Sequence, residues 1–185
     1  MRSALARTDR YTGVAIALHW TIAALILLNL WLGLAGDSLP KDWKVMPVHK
    51  AIGITVLALT LVRIGWRVTH PAPPLPEDMP HWERVAAHAN HYAFYGLMLL
   101  LPLTGWAMVS GTDKRRPLEW FGLFDIPYLP VSKAVGGLGH DLHGLFGWAM
   151  IALAVLHIGA ALKHHFVARD TVLTRMLPFL RAPAG

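Results

Sequence analysis

Cysteine is absent from this chain. That excludes structural disulfides, thiolate-ligated iron–sulfur clusters and haem attached covalently through a Cys-x-x-Cys-His motif. Charge is scarce as well. Only 15% of the 185 residues are charged against 55% hydrophobic, which is too apolar a balance for an ordinary soluble domain. Acidic residues are the scarcer sign, eleven against seventeen Lys and Arg, leaving a formal charge of +6 that would suit a nucleic-acid partner. The basic residues, however, gather in polar connections and flanks rather than along one soluble face, so membrane topology accounts for them and no nucleic acid is expected. Internal repeats and low-complexity stretches are also missing, and a single domain over 1–185 is the economical expectation.

What the sequence does contain is four apolar segments, at about 14–35, 46–68, 84–110 and 141–167. A hydrocarbon core about 30 Å thick needs roughly 20 such residues per helix, so each segment can cross a bilayer. The pattern predicts an all-α integral membrane four-helix bundle. The first apolar run follows Arg2, Arg7 and Arg10, exceeds a signal-peptide core and shows no clear cleavage site, and it reads as a retained helix. The second connection, His70 to Pro80, is broken by prolines that remove amide donors. The third, about 111–140, carries charge and aromatic bulk (Trp120, Phe121, Phe124, Tyr128) and is expected to fold over the membrane surface. Ten Lys and Arg residues flank the spans on the N-terminal side and seven on the other, which favours both termini in the cytoplasm.

Ionisable groups inside a span are costly, so a histidine there needs a partner. His143 and His157 lie fourteen residues apart in the fourth segment. Nearly four helical turns separate them, so both imidazoles face the same way, about 21 Å apart along the axis. The spans alternate in direction. His19, early in the first, and His157, late in the fourth, therefore share the N-terminal side, and His49 and His143 share the other. Two pairs of imidazoles at two depths suit two six-coordinate b-type haems, a ligation that favours electron transfer over oxygen binding. Bonding of each histidine to a neighbouring helix carbonyl is the plainer alternative. A zinc or copper centre fits less well, because its ligands converge on one point. Gly53, Gly144 and Gly147, close to His49 and His143, would let a porphyrin face approach the backbone, although small residues also serve ordinary helix packing.

The chain resembles the bacterial cytochrome b561 family, and within it the small four-helix superoxide oxidases. The residues that carry the resemblance are Ala17-Leu18-His19-Trp20, Val48-His49-Lys50-Ala51-Ile52-Gly53, the His143/His157 spacing, and the tail from His157 through Lys163-His164-His165-Phe166 to Asp170 and Pro178. The resemblance implies that His19, His49, His143 and His157 are the haem-iron ligands. It further implies a reaction in the bacterial inner membrane, in which periplasmic superoxide reduces the haems and the electrons pass to ubiquinone. It suggests His164 as a quinone contact that donates a hydrogen bond or relays a proton; an interfacial histidine reaching for water is the alternative. Lys50, Lys114, Arg115 and Arg116, with Lys133, are placed to steer a small anion, or are simply solvated loop charges. His88 and His91, at the entry to the third helix, are candidates to contact haem propionates or quinone, with a plain interfacial role the favoured alternative, and Arg63 and Arg67 are candidates to pair with propionates of the His19/His157 haem and equally fit the positive-inside rule. A cytochrome subunit passing electrons between quinone and a redox partner protein would use the same four ligands. A histidine-lined transporter is disfavoured, because no span is visibly discontinuous.

Overall fold

The computed structural model describes residues 10–36, 38–76, 79–113, 116–177 and 179–180. Four long helices dominate it, and each is long and apolar enough to cross a membrane. Helix α1 (Gly13–Ala35) begins where the Thr12 hydroxyl accepts a hydrogen bond from the amide of Ala15, an N-cap for otherwise orphaned donors. A single 3-10 turn, Lys41–Trp43, leads into α2 (Val45–Thr69). The proline-rich connection ends at Pro80, from which α3 (His81–Ser110) starts. Helix α4 (Lys133–Lys163) is capped by the Ser132 hydroxyl and continues into a π-helical turn, His164–Ala168, which Arg169 closes in a left-handed conformation.

The fourth helix therefore starts eight residues before the predicted 141, and the third connection is correspondingly shorter than 111–140. Gly136, Gly137 and Gly139, beside His140 and Asp141, read as loop in the sequence. In the fold Gly136 and Gly139 are the surface on which α4 meets the end of α3, while Gly137 faces open space. A Cβ on Gly136 would stand 2.7 Å from the Cα of Gly111, and one on Gly139 would stand 2.9 Å from the carbonyl oxygen of Thr104. Backbones this close tolerate nothing larger, as at small-residue contacts between membrane helices.

The third connection carries an antiparallel hairpin, β1 (Glu119–Trp120) and β2 (Phe124–Asp125), that the sequence reading did not foresee. Its turn needs positive φ at Phe121 and Gly122, 48° and 72°. The Trp120 indole donates to the Thr55 hydroxyl, and that of Trp106 to the carbonyl of Pro127. The aromatic connection thus lies over the ends of α2 and α3. At the N-terminal end, the indole of Trp20 donates to the carbonyl of Met176, and Arg175 to that of Pro74, so the C-terminal tail closes over that end.

Helices α1 and α2, α2 and α3, and α3 and α4 pack along one another. The buried interior is small. One cluster, Leu32, Val45, Ile52 and Val56, joins α1 to α2; another, Ile22, Met98 and Met150, joins α1, α3 and α4. Large apolar side chains such as Leu61, Val62, Leu145, Trp148 and Leu156 point outward, as a lipid-facing surface requires.

Candidate functional site

Alternating helix direction sets the depth of each histidine, and helix azimuth decides whether matched depths become contacts. The structure brings His19 of α1 to His157 of α4 with ring centres 6.2 Å apart, and His49 of α2 to His143 of α4 with ring centres 6.1 Å apart. An imidazole nitrogen sits about 2 Å from a first-row metal ion and about 1.1 Å from its own ring centre, so two rings on opposite sides of one ion stand about 6 Å apart. Both separations match. The midpoint of α4 between its two histidines is Met150, which is 1% exposed and packs with Ile22 and Met98. An apolar plug thus divides the two pairs.

Hydrogen bonds decide which ring nitrogen is free. A carbonyl can only accept, so Nδ1 of His49 donates to the main-chain oxygen of Asn29 (3.1 Å), and Nδ1 of His143 to that of Leu101 (2.9 Å). The Thr104 hydroxyl lies 3.3 Å from the same His143 nitrogen. A neutral imidazole protonated on Nδ1 keeps its lone pair on Nε2. Among the described residues neither Nε2 has a hydrogen-bonding partner. This is the tautomer and orientation that metal-ligating histidines require. Two glycines make room for the rings: a Cβ on Gly33 would lie 3.2 Å from Cε1 of His49, and one on Gly105 would lie 3.0 Å from Cε1 of His143. Gly144 and Gly147 face open space instead, and Gly53 faces the amide of Asn29.

The N-terminal-side pair has a richer neighbourhood. Asn90 Nδ2 lies 2.9 Å from Nδ1 of His157, the Phe94 ring meets that imidazole edge-on, and His91 brings a third imidazole to 6.0 Å. Among the described residues no three His, Cys, Asp or Glu side chains gather closely enough to hold a metal ion, so these three imidazoles form a row rather than a cage. Arg63 donates through Nε to the Tyr95 hydroxyl, while its Nη1 is buried without a partner among the described residues. A half-satisfied guanidinium in a span fits a carboxylate-bearing cofactor. The donor set, the glycine recesses and this orphaned cation together suit b-type haem.

The sequence profile described as prokaryotic cytochrome b561 matches residues 10–179. The chain belongs to the prokaryotic cytochrome b561 family. It is 36% identical over 177 residues to "Cytochrome b561 homolog 2" of Escherichia coli (strain K12), covering 91% of this chain and 92% of that one. It is 31% identical over 180 residues to "Probable superoxide oxidase CybB" of Yersinia pestis, covering 91% and 96%. A weaker match, 27% over 93 residues, covers 49% of this chain and 34% of "Probable Ni/Fe-hydrogenase B-type cytochrome subunit" of Rhodobacter capsulatus. Family membership makes this a bacterial membrane electron-transfer protein and implies b-type haem.

Both ends of this cytochrome carry polar groups. On the N-terminal side His164 donates from Nδ1 to Asp170 (2.5 Å), its Nε2 lies 3.7 Å from Glu83, and Lys163 pairs with Glu83 at 2.6 Å. These residues line a cleft of about 230 Å³ with Met79, Pro80 and Ala168. Glu83 and Asp170 were not foreseen, because they reach His164 only through the helix pairing and the π-helical turn. On the opposite side Lys50 donates to the carbonyl of Pro117, which holds its ammonium beside the exposed Arg116. Lys133 is paired with Asp113 at 2.6 Å, so its charge is locally offset, contrary to its expected part in steering. Lys114 and Arg115 lie outside the described residues. His88 bonds back to the carbonyl of Arg84, and His70 stacks on Trp66.

Proposed function

We propose that this cytochrome b561-family protein carries two b-type haems, one between His19 and His157 and one between His49 and His143, and transfers electrons from superoxide to ubiquinone. The observation that carries the reading is the pair of facing imidazole sets, 6.2 and 6.1 Å across and joined by one helix. A haem, when bound, supplies an iron that takes up and releases one electron at a time. A haem held by both imidazoles at each site would be shielded from direct binding of oxygen or superoxide, which favours electron transfer over oxygen binding. Arg63 offers its Nη1, unpartnered among the described residues, to a propionate.

With the N-terminus in the cytoplasm of the inner membrane, Lys50 and Arg116, joined by Lys114 and Arg115 in sequence, form a cationic periplasmic end that attracts a small anion. Two superoxide anions each give up one electron and leave as dioxygen. At the cytoplasmic end one ubiquinone takes the two electrons and two protons and leaves as ubiquinol. His164 is placed to donate a hydrogen bond or a proton to a quinone carbonyl oxygen, with Asp170 and Glu83 on either side of its ring to orient it and restore the proton. The match to a relative named as a probable superoxide oxidase, along nearly the full length of both chains, supports the same reading.

A second reading is a cytochrome subunit that exchanges electrons with a separate redox partner, favoured by the half-length match to a hydrogenase cytochrome subunit. Stopped-flow spectroscopy separates the two. A pulse of superoxide on the oxidised protein should reduce the haems at near-diffusional rates, and added ubiquinone should reoxidise them. Haems that stay oxidised under superoxide would leave the partner-fed subunit as the better account.

A further inference from the structure

His49 and His143 are each oriented by a main-chain carbonyl, whereas His157 is oriented by a side chain, the carboxamide of Asn90 on α3. The difference matters because a carbonyl can only accept, while a carboxamide carries an acceptor and a donor on one planar group. With Nδ2 toward Nδ1 of His157, at 2.9 Å, the amide donates and suits the tautomer whose Nε2 holds the proton. A half turn about the last side-chain bond puts Oδ1 in the same place. The amide then accepts from Nδ1–H and leaves the Nε2 lone pair free. Asn90 can therefore stay bonded to His157 both when Nε2 is protonated and when it is a ligand. Among the described residues His157 is the only hydrogen-bonding partner of the Asn90 amide. A polar side chain in a span is retained at a cost, and this bond is what offsets it.

We infer that Asn90 is a positioning residue for the His157 ligand: its carboxamide oxygen fixes the tautomer and rotation of the imidazole and, through that bond, sets the reduction potential of the haem on the N-terminal side independently of the other. The inference rests on the assignment of His157 as a haem ligand. A stronger acceptor at Nδ1–H makes the ring a better electron donor to the iron and favours the oxidised state; removing the acceptor does the reverse. The two haems can thus be offset in potential by a single side chain, while at the opposite site the shorter bonds, to the carbonyls of Asn29 and Leu101, are backbone that substitution cannot remove, with the Thr104 hydroxyl as a longer contact to His143.

The test compares Asn90→Asp, which keeps size and offers a stronger acceptor, with Asn90→Leu, which keeps size and offers none. Potentiometric titration followed in the haem absorption bands gives both potentials, and low-temperature electron paramagnetic resonance gives the ligand-field signature of each oxidised haem. Repeating the titration in a His49→Ala background, which retains the N-terminal-side haem alone, assigns the shifts. The expected result is one haem lowered by Asn90→Asp and raised by Asn90→Leu, with its resonance signature moved and the other haem unchanged. A packing role alone would shift both variants the same way or only reduce haem content, and would overturn the inference. So would potentials that do not move. Asn90→Asp carries the test by itself where Asn90→Leu fails to insert. Absence of haem from the wild type, or its full retention after His157→Ala, would overturn the ligand assignment itself, whereas normal haem loading with unmoved potentials would overturn only the role of Asn90.

Discussion

Adding one methyl group to α3 tests the opposite site without touching a ligand. In Gly105→Ala the new Cβ would lie 3.0 Å from Cε1 and 3.2 Å from Nδ1 of His143. Comfortable contact begins at about 3.5 Å, so the ring must retreat by about half an ångström. His143 cannot retreat freely, because its Nδ1 is held 2.9 Å from the carbonyl of Leu101 on the same helix as Gly105. Overpacking of this kind costs about 1–3 kcal/mol, and tenfold in affinity corresponds to about 1.4 kcal/mol. Haem affinity at the His49/His143 site should therefore fall roughly five- to 150-fold. The helix itself does not suffer, since alanine is a better helix former than glycine by about 1 kcal/mol. Haem content per chain and redox difference spectra at limiting haem should show the His49/His143 haem lost first and the other kept. Gly33→Ala, at 3.2 Å from His49, should be milder, and Gly65→Ala, with nothing within 4 Å, should be silent. Two haems retained at wild-type affinity in Gly105→Ala would refute the placement of His143 as a ligand.

Each single-ligand variant at the opposite side, His49→Ala or His143→Ala, should leave one haem per chain with the His19/His157 haem intact, while His91→Ala should leave both; haem quantification decides, and loss of haem in His91→Ala with retention in His19→Ala would reassign the partner of His157. The second-order rate with superoxide should fall as ionic strength rises past about 0.1 M, where the Debye length is about 10 Å. Replacing Lys50 and Arg116 by glutamine should slow that rate and flatten its salt dependence, whereas replacing Lys133 and Asp113 together by glutamine and asparagine should do little because the pair is already neutral as a unit; an unchanged low-salt rate in the Lys50/Arg116 double variant would remove the steering role. His164→Ala should leave haem content and superoxide reduction intact and slow reoxidation by ubiquinone about 10²-fold or more, the scale of a lost general acid. Reoxidation at the wild-type rate would place quinone elsewhere.

The spans were legible because apolar length is a local property, and the depth of each histidine followed from strict alternation of direction. Where α4 begins was not legible. Gly136, Gly137 and Gly139 weaken a helix by intrinsic preference, and only the contacts of Gly136 with Gly111 and of Gly139 with Thr104 repay that loss. The partners of the imidazoles were hidden for a related reason. Gly33, Gly105 and Asn90 face their histidines through the azimuth at which two helices pack, and spacing along one helix says nothing of rotation about the next. Glycines next to a histidine in sequence, Gly144 and Gly147, are visible to spacing along one helix, whereas Gly33 and Gly105 meet their histidines only across an interface. The hairpin at 119–125 was obscured by its shortness, because two residues per strand give no alternation to read.

One helix lends a histidine to both pairs, and much of the arrangement follows from that. The separation of His143 and His157 is set by helical rise alone, so it does not depend on how α1 or α2 sit. Those two helices need only bring one ring each to a fixed rail, and each does so by a different device: Gly33 of α1 clears the space for His49 of α2, while Thr12 and Trp20 anchor the start of α1, the first to the indole of Trp66 and the second to the tail at Met176. The rail is stiff where it must be, with Met150 buried between the sites against Ile22 and Met98. The bundle is polar at both ends, with Lys50 and Arg116 toward one and His164 toward the other, where the proposed function puts an anion and a quinone. A sequence with scarce charge thus places most of its chemistry at two depths and two ends, and the lipid-facing surface between them stays apolar.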